Sequence, residues 1–358
     1  MSGAVLVLSA ALGFGLSASP RIPTTASVAR ASPRMAHALI VQNKGGGHGE
    51  IGFHLAKALR VKGVEVTFVQ DPAAKKAKLP FSQYESELSD CNVVWCAPTD
   101  AAAILGALAG REPLTHVFEN NAKGPSDIAP ALAAALVSPV FKLFAFVSSG
   151  GMYTKKGALS EEDAIKNPPT GQREVELYLA EKLPGKWCAF RPQYIYGPYT
   201  NKREYLDWFL QRASRGLPMP LPGDGTQPAS LTHCEDVASL LASVAGQEDK
   251  AADQVFNCAA SASLTYTQIA EIAASATGKP ANIQYLPAGT KTSFPLRPNK
   301  EGFYVSVGKA QSTLGWAPKH DVAADLGKDG FYSRDYFALG LDKGEIDTSQ
   351  DLALAPKA

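Results

Sequence analysis

The stretch that decides the fold joins the apolar segment His37-Ala38-Leu39-Ile40-Val41-Gln42 to the glycine loop Gly46-Gly47-His48-Gly49-Glu50-Ile51-Gly52. A short apolar run of this length is typical of a buried strand. Apolar residues follow the loop at helical spacing, and Lys62-Gly63 is a signal for the end of a helix. The stretch therefore predicts a strand, a glycine turn and a helix in succession.

The glycines of this loop have the spacing found where a parallel sheet binds a nucleotide. In such loops Gly46 makes the tight turn, Gly49 lets the backbone approach a pyrophosphate, and Gly52 lets the helix pack on the strand. An acid usually ends the second strand and binds the ribose hydroxyls, but Gln70 stands there and Asp71 follows it. We expect Asp71 to take this role and NAD(P) binding to be weak or vestigial. The alternative is a glycine-rich turn that only packs.

Strands and helices alternate along the first half of the chain. Apolar runs predict further strands at 64–69, 93–97, 117–118 and 143–148, with alanine-rich helices at 99–109 and 126–137. Such alternation predicts an α/β fold, a Rossmann-type doubly wound parallel sheet with helices on both faces. After about Arg191, prolines and the turn Gly223-Asp224-Gly225 interrupt the chain, and helical patterns return at 203–215, 235–246 and 267–276.

These patterns divide the chain into four segments, which are 1–34, 35–190, 191–340 and 341–358. We interpret the first as a leader and the second as a dinucleotide-binding domain. The third is a smaller, mixed domain of the substrate-binding type, interleaved with the sheet, and the fourth is a polar tail. The leader contains three arginines, many small and hydroxylated residues and no acid, which is typical of a chloroplast transit peptide. We therefore expect the mature protein in the chloroplast stroma.

Composition and charge exclude several classes of protein. Without the three leader arginines, 32 of the 35 basic residues remain against 34 acidic ones, so bulk charge does not predict nucleic-acid binding. Any RNA contact has to come from a local basic patch. The five cysteines lack the spacing of a zinc site, and we expect them to be buried apolar residues. The chain has no apolar run long enough for a membrane span.

Several later segments resemble the extended short-chain dehydrogenases/reductases, in particular the NAD-dependent nucleotide-sugar epimerases and dehydratases. The resemblance lies in Ser148-Ser149-Gly150-Gly151-Met152-Tyr153, in the segment Arg191 to Pro198, and in Pro222-Gly223-Asp224-Gly225-Thr226-Gln227. Leu314-Gly315-Trp316 completes the pattern, which spans roughly residues 40–320. Ser149 matches the serine that orients the substrate hydroxyl in that superfamily.

The catalytic pair of that superfamily is missing. Its chemistry needs a Tyr-x-x-x-Lys pair in the first turns of a helix, where the lysine lowers the pKa of the tyrosine. The expected positions hold residues 168–170 and 172–174, with neither a tyrosine nor a lysine among them. Tyr178 and Lys182 have the right spacing but stand at the end of the helix, just before Pro184-Gly185. The sequence therefore argues against redox or epimerase activity.

Within the superfamily the chain resembles most the chloroplast stem-loop-binding proteins, which are RNA-binding endoribonucleases of dehydrogenase fold. The resemblance lies in Gly46-Gly47-His48, in Glu119-Asn120-Asn121-Ala122-Lys123, in Phe190-Arg191-Pro192-Gln193-Tyr194 and in Phe256-Asn257-Cys258. Of the two variants in that group, the sequence looks closer to the a-type. The resemblance implies structured plastid RNA as ligand, association with ribosomes or transcription machinery, and homo- or hetero-oligomers.

The resemblance also implies RNA cleavage assisted by a divalent cation such as Mg²⁺. We take Glu119, Asn120, Asn121 and Ser149 as the candidate catalytic residues, because a carboxylate with amides can hold hydrated Mg²⁺. The alternative is that Asn120 and Asn121 only satisfy loop backbone. The sequence does not predict where a metal ion would bind.

RNA contacts are expected where cations and aromatic side chains flank the cleft, since unpaired bases stack on aromatic rings beside cations. The candidates are Lys155, Lys156, Lys202, Arg203, Tyr153, Tyr194, Tyr199 and Trp208. Two other functions stay open. One is an NAD(P)-dependent epimerase, dehydratase or reductase, and the other is a non-catalytic RNA or ribosome scaffold.

Overall fold

The computed structural model describes residues 36–43, 48, 50–154, 157–200, 202–287 and 289–346. Its strands are β1 (His37–Gln42), β2 (Glu65–Gln70), β3 (Asn92–Trp95), β4 (His116–Asn120), β5 (Leu143–Val147), β6 (Gly157–Leu159), β7 (Trp187–Pro192), β8 (Ile195–Tyr196), β9 (Met219–Pro222), β10 (Pro228–Ala229), β11 (Thr232–His233), β12 (Gln254–Cys258), β13 (Leu264–Thr265), β14 (Ile283–Leu286) and β15 (Phe303–Val305).

The helices are α1 (Glu50–Val61), α2 (Tyr84–Glu87), α3 (Ala101–Leu108), α4 (Ala129–Leu136), α5 (Gly171–Lys182), α6 (Glu204–Arg215), α7 (Cys234–Ser243), α8 (Glu248–Ala251), α9 (Tyr266–Thr277), α10 (Gly308–Leu314), α11 (Val322–Leu326) and α12 (Phe331–Ala338). Short 3₁₀ helices lie at Phe81–Gln83, Pro125–Ile128, Gly150–Met152 and Leu341–Lys343. In the described part of the chain, none of these helices has the length and apolar character that crossing a membrane requires.

The central sheet has seven strands in the order β12-β7-β5-β4-β1-β2-β3, and every neighbouring pair is parallel. The predicted doubly wound parallel sheet is confirmed. The order runs outward in both directions from β1 and β4, and ligands of such sheets bind at the carboxyl ends near this reversal. In the register of the sheet, Gln42 lies beside both Gln70 and Asn120, so these three strand ends meet at one place.

Hydrophobic cores cover both faces of the sheet. One contains Ile40, Phe53 and Phe190 with α1, α7 and α10, and the other contains Val41, Phe146 and Leu179 with α3, α4 and α5. All six residues of β1 are buried, as the apolar run predicts for a strand between two helical layers. This burial holds the carboxyl ends of the strands in a fixed arrangement.

The second half of the chain returns to the sheet and also builds a core of its own. Strand β12 pairs with β7 at the edge of the central sheet. A third core packs α6 and α9 with α11 and α12, and contains Trp208, Phe209 and Tyr266. Two further short parallel pairs are β8 with β11 and β9 with β14; β8 contributes to the first and third cores, and β9 to the third. The predicted helices at 203–215, 235–246 and 267–276 correspond to α6, α7 and α9 within two or three residues.

Candidate functional site

A cleft opens at the carboxyl ends of β1, β4, β5 and β7, with a volume of about 320 Å³. It lies where the reversal of strand order predicts a ligand site. Ser149, Asn120 and Asn121, which the sequence singled out, all line it. Its lining consists of Asn43, His48, Ile51, Asn120, Asn121, Ala122, Lys123, Val147, Ser148, Ser149, Gly151, Gln172, Pro192, Gln193, Tyr194, Ile195, Lys202, Tyr205, Arg297 and Phe303.

The charges of the cleft are all of one sign. Lys123, Lys202 and Arg297 line it, and the described lining residues include no aspartate or glutamate. On one wall the rings of Tyr194 and Tyr205 meet edge to face at a centroid distance of 5.1 Å. The ammonium of Lys202 lies 5.0 Å from the Tyr205 ring. A concave surface with cations, aromatic rings and no carboxylate suits an anionic, aromatic ligand.

The tip of β1 is joined to β4 and α1 through one side chain. The Oε1 atom of Gln42 accepts hydrogen bonds from the Gly52 amide at 3.1 Å and from Nδ2 of Asn120 at 3.0 Å. A Cβ atom on Gly52 would lie 2.1 Å from this Oε1 atom and 3.1 Å from the ring of Phe68. Gly52 thus allows α1 to pack closely on the sheet, in the way that the glycine pattern predicts. Gly46 and Gly49 lie outside the described residues.

We expect Gly52→Ala to destabilise the protein by about 1–3 kcal/mol, because the added methyl group has to displace Gln42 or shift α1. Denaturant unfolding of the variant and the wild type measures this loss. Gly106→Ala is the matched control. Gly106 lies within α3 with nothing within 4 Å of an added Cβ. The control should gain roughly 0.5–1 kcal/mol from helix propensity, and equal effects of the two substitutions would contradict the packing argument.

The end of β2, where a dinucleotide site binds ribose, lacks the usual acidic residue. Gln70 ends β2 in the place of the usual acid and is fully buried. Its Nε2 donates to the carbonyl of Asn43 at 2.6 Å, and its Oε1 accepts from the hydroxyl of Tyr84 at 2.8 Å. The Oδ1 atom of Asp71 accepts from the Ala73 amide at 2.8 Å, within its own turn. The role of Asp71 in holding ribose stays a prediction, and so do the roles of Gly46 and Gly49, which lie outside the described residues.

Glu119 lies beneath the cleft and is fully buried. Its Oε1 accepts hydrogen bonds from the amides of Asn121 and Ala122, at 2.6 and 3.0 Å, and so fixes the loop after β4. Its Oε2 has no hydrogen-bond partner among the described residues. Burial raises the pKa of Glu119 to about 8, although the two amide hydrogen bonds act in the opposite direction. This geometry gives Glu119 a structural role in the loop, and its catalytic role stays a prediction.

The pH dependence of stability tests the state of this carboxyl group. Its pKa in the folded protein is about 8, against 4.5 for the ordinary glutamate. A raised pKa stabilises the fold fully below pH 4.5 and loses that contribution as the pH rises toward 8, at up to about 1.4 kcal/mol per pH unit. Glu119→Gln keeps the acceptor oxygen and cannot ionise. We therefore expect the variant to gain stability relative to the wild type between pH 5 and pH 8, as measured by urea unfolding.

An equal stability difference at the two pH values would show that Glu119 is already ionised in the folded protein. The same variant tests the predicted catalytic role. Glu119→Gln protein that cleaves RNA at the wild-type rate would exclude this carboxyl group from the chemistry.

Asn120 and Asn121 differ in how freely their side chains can act. The Nδ2 atom of Asn120 donates to Gln42 and to the carbonyl of His48, at 3.0 and 3.1 Å, which ties β4 to the glycine loop. This is the backbone-satisfying alternative that the sequence left open. Asn121 faces the cleft beside Lys123. Ser149 caps the 3₁₀ helix Gly150–Met152, since its Oγ accepts from the Gly151 amide at 3.1 Å.

The proposed magnesium ligands do not fit a metal site. The Glu119 carboxyl is buried beneath the cleft with one oxygen bound by loop amides, and the Nδ2 group of Asn120 donates to other protein atoms. A Mg²⁺ ion needs several accessible oxygen ligands in octahedral geometry. Among the described residues, this set offers the cleft no free carboxylate.

The helix that carries the catalytic pair in related enzymes presents other residues here. Thr170 caps α5, and Gln172 in its first turn lines the cleft. Tyr178 and Lys182 lie in the second half of α5, where Lys182 is exposed and paired with Glu181 at 2.7 Å. Neither of the two belongs to the cleft lining. The position of this pair agrees with the argument that Tyr178 and Lys182 stand too late in the helix to act.

Some expected RNA contacts are wrong. Tyr153 is 1% exposed and donates to Asn257, and Trp208 is 7% exposed within the third core, so neither ring can stack on a base. Arg203 is held by Asp207 at 3.0 Å, away from the cleft lining. The hydroxyl of Tyr199 donates to Glu87 at 3.1 Å, also outside the lining. Lys155 and Lys156 lie outside the described residues, while Lys202 and Tyr194 do line the cleft.

His48 provides the cleft with an oriented imidazole. Its Nδ1 lies 3.0 Å from Oε1 of Glu50, whose side chain is fully buried, while the His48 side chain is 19% exposed. The His48 carbonyl accepts from Asn120 and from the Ile51 amide, so the backbone of His48 is also held. A carboxylate on one ring nitrogen fixes the tautomer and leaves the other nitrogen for proton transfer.

A buried ion pair supports the floor of the cleft. Arg191 of β7 donates to both carboxylate oxygens of Glu176 in α5, at 2.9 and 2.6 Å. Ser148, at the end of β5, donates to the same carboxylate at 2.7 Å. Burial alone would raise the pKa of Glu176, but hydrogen bonds and charge from Arg191 lower it, so the group is ionised. The pair fixes α5 against β5 and β7, the two strands that precede Ser149 and Gln193.

Several residues of the cleft were missed by the sequence reasoning, among them His48, Tyr205, Gln172, Gln193 and Arg297. Gln193 and Gln172 are polar residues without a diagnostic spacing. Arg297 stands in an irregular loop far along the chain, where it donates to the carbonyls of Gly151 and Tyr153 at 2.7 and 3.2 Å. The segment Arg191 to Tyr194 was the one signal that could have indicated Gln193.

Residues 45–259 match the NAD dependent epimerase/dehydratase family. The 41 kDa chloroplast stem-loop binding protein b of Arabidopsis thaliana is 31% identical over 326 residues, which cover 87% of this chain and 83% of that protein. The predicted chloroplast location is confirmed by this relationship, since the relative is chloroplastic. The resemblance to the a-type stays a prediction.

Solved structures show the same fold at low identity. An epimerase of Methanothermobacter thermautotrophicus matches with a TM-score of 0.65 and 19% identity, over 87% of this chain and 96% of that chain. The dTDP-glucose 4,6-dehydratase of Bacillus anthracis, in complex with NAD, matches with a TM-score of 0.65 and 16% identity, over 84% and 96%. The sheet, the glycine loop and these matches agree: the chain belongs to the NAD dependent epimerase/dehydratase family and, within it, to the group of the chloroplast stem-loop binding proteins.

Proposed function

We propose that this protein binds structured chloroplast RNA in the cleft and cleaves it as an endoribonuclease. The observation that carries the proposal is the lining of the cleft, whose described charged residues are Lys123, Lys202 and Arg297, beside the rings of Tyr194 and Tyr205. Glu204, outside the lining, pairs with Lys202 at 3.5 Å. Cations neutralise phosphates, and aromatic rings stack on unpaired bases. The stem-loop binding relative supports RNA as the ligand.

Bulk charge does not oppose this proposal. The chain is nearly neutral, with 35 basic and 34 acidic residues. Lys123, Lys202 and Arg297 line the cleft, however, and a local patch of cations is sufficient to attract a phosphate backbone. Binding through such a patch is expected to weaken steeply with salt, because each phosphate contact releases a counterion.

His48 is the residue we assign as general base for cleavage, oriented by Glu50 at 3.0 Å. It takes the proton of a ribose 2′-hydroxyl, the 2′-oxygen forms a bond with the adjacent phosphorus, and the bond from phosphorus to the 5′-oxygen breaks. The leaving oxygen takes a proton from water. The products are a 2′,3′-cyclic phosphate and a 5′-hydroxyl. Any divalent cation would have to be held by RNA phosphates, since the described cleft residues include no carboxylate.

The test uses the purified protein and an end-labelled stem-loop RNA, with Mg²⁺ in one arm and a chelator in the other, on native and denaturing gels. A shifted and internally cut RNA supports the proposal, and His48→Ala should then bind RNA with little cutting. A shift without cutting would leave a non-catalytic RNA scaffold. The absence of any shift at modest salt would refute RNA binding altogether.

An NAD(P)-dependent epimerase, dehydratase or reductase is the second candidate, favoured by the family match and the close packing of Gly52. A Tyr-x-x-x-Lys pair is not among the described cleft residues, which argues against turnover. Titration with NAD⁺ and NADPH, followed by an assay for hydride transfer, separates the two candidates. Binding of NAD(P) without hydride transfer would mean that the nucleotide has a regulatory role or is a vestige of the family's enzymes.

The proposal includes partners beyond RNA. By family membership we infer association with ribosomes or transcription machinery and assembly into homo- or hetero-oligomers. Sedimentation of chloroplast extracts with and without ribonuclease tests the first, and light scattering of the purified protein tests the second. Monomeric protein that never sediments with large particles would contradict both.

A further inference from the structure

Gln193 stands at the floor of the cleft with an amide group that the described residues do not bind. The side chain is 4% exposed, and neither its Oε1 nor its Nε2 has a hydrogen-bond partner among the described residues. Its backbone is fixed, because its carbonyl accepts from the Thr232 hydroxyl at 2.6 Å. A buried donor and acceptor left unpaired cost about 1–3 kcal/mol each. A ligand that forms hydrogen bonds with this amide would remove that cost.

The 3₁₀ helix Gly150–Met152 packs against the Gln193 amide and leaves space for it. A Cβ atom on Gly150 would lie 2.7 Å from Cγ and 2.9 Å from Nε2 of Gln193, so the glycine is needed for the side chain to fit. Gly150 begins the 3₁₀ helix that Ser149 caps, and Arg297 holds the same helix through the carbonyl of Gly151. The missing Cβ atom of Gly150 therefore leaves room for the Gln193 amide. The hydrogen bonds of Ser149 and Arg297 hold the 3₁₀ helix that contains Gly150.

We propose that the cleft accepts a single unpaired nucleotide of the RNA and that the Gln193 amide hydrogen-bonds the edge of its base. Every base carries a donor and an acceptor side by side on its edge, which is the complement of a glutamine amide. Tyr194 and Tyr205 offer the base an aromatic wall, and Lys123 and Lys202 offer its phosphates two cations. The amide turns toward the base by rotation about its side-chain bonds, as interface side chains commonly do.

This inference rests on the proposed RNA binding but is tested separately from it. The probes are the four nucleoside monophosphates, with ribose 5-phosphate and nicotinamide mononucleotide as references, titrated by calorimetry into the wild type and Gln193→Met. At least one nucleoside monophosphate should bind the wild type about 10-fold more tightly than ribose 5-phosphate, and this difference should vanish in the variant. Equal binding of nucleotide and sugar phosphate by the wild type would overturn the inference. So would a Gln193-dependent preference confined to nicotinamide mononucleotide, because the amide would then serve a dinucleotide.

Stability distinguishes a ligand-binding amide from a structural one. Methionine has a similar length and removes two unpaired polar atoms, so Gln193→Met should unfold at the same temperature as the wild type or at a higher one. A lower unfolding temperature would mean that the amide has partners within the protein, and the inference would fail.

A stem-loop RNA with one abasic loop nucleotide completes the test. When each loop position is examined in turn, one abasic site should weaken binding to the wild type about 10-fold and leave binding to Gln193→Met unaffected. RNA that binds both proteins equally at every position would overturn the base contact while leaving RNA binding intact. If no RNA binds, the proposed function fails, and the nucleotide titrations still show whether the Gln193 amide binds the edge of a base.

Discussion

Glu176→Gln is expected to lower the free energy of unfolding by about 3–5 kcal/mol, the cost of removing one partner from a buried ion pair. Glu176 is fully buried and Arg191 is 2% exposed. The carboxylate accepts from two nitrogens of Arg191, from the Ser148 hydroxyl and from Arg173. A glutamine has one acceptor oxygen and would turn its amide NH₂ group toward the donors of Arg191, so the buried Arg191 charge would lose one of its two hydrogen bonds to residue 176 and its opposite charge.

The control is a second Glu→Gln change in the same helix. Glu181 pairs with Lys182 at 2.7 Å, but both side chains are exposed, by 70% and 43%. Exposed pairs contribute between zero and about 1 kcal/mol, so Glu181→Gln should cost less than that. Urea unfolding followed by circular dichroism measures both variants. Equal losses would show that burial of the Glu176 pair adds nothing, which would contradict the argument.

The consequence for function lies in the position of the pair. Arg191 lies in β7, two residues before Gln193, and Ser148 directly follows β5 and precedes Ser149. The Glu176→Gln variant, which lacks this pair, loses the support of both segments at once. We therefore expect RNA binding to fail in Glu176→Gln at temperatures where Glu181→Gln still binds.

The sequence predicted the fold well because the fold depends on short-range patterns. The apolar run of β1, the glycine loop and the helical spacing of α1 each follow from neighbours along the chain. The alternation of strands and helices predicts a parallel sheet. It does not predict the order of the strands around β1 and β4. Strand β12, which completes the edge of the sheet beside β7, carried no alternation signal of its own.

The site was predicted in part because burial cannot be read from a motif. Asn121, Ser149 and Lys202 line the cleft as expected, yet Glu119 of the same motif lies beneath it. Trp208 looked available for stacking, but it packs in the third core. Arg297 also lines the cleft, although it lies more than one hundred residues after β7 in the sequence. No local sequence pattern predicts such a contact.

The double variant Lys123→Glu/Lys202→Glu is expected to weaken binding of a stem-loop RNA by about 100-fold at 0.15 M salt, or roughly 2.8 kcal/mol. Both lysines line the cleft, Lys123 after β4 and Lys202 before α6, so both are available to a bound backbone. Each reversal removes one phosphate contact and adds a repulsion. The corresponding alanine variant should reduce the slope of log affinity against log salt by about 1.4 to 1.8, because two counterion-releasing contacts are gone.

The matched control reverses two exposed lysines that do not line the cleft, Lys250 of α8 and Lys328 after α11. The net charge of this variant equals that of the cleft variant, and charges farther than about 8 Å from the RNA are screened at 0.15 M salt. We expect less than a threefold loss in the control, with an unchanged salt slope. If the two double variants lost affinity equally, RNA would be attracted by the overall charge of the protein, and the cleft could not be its binding site.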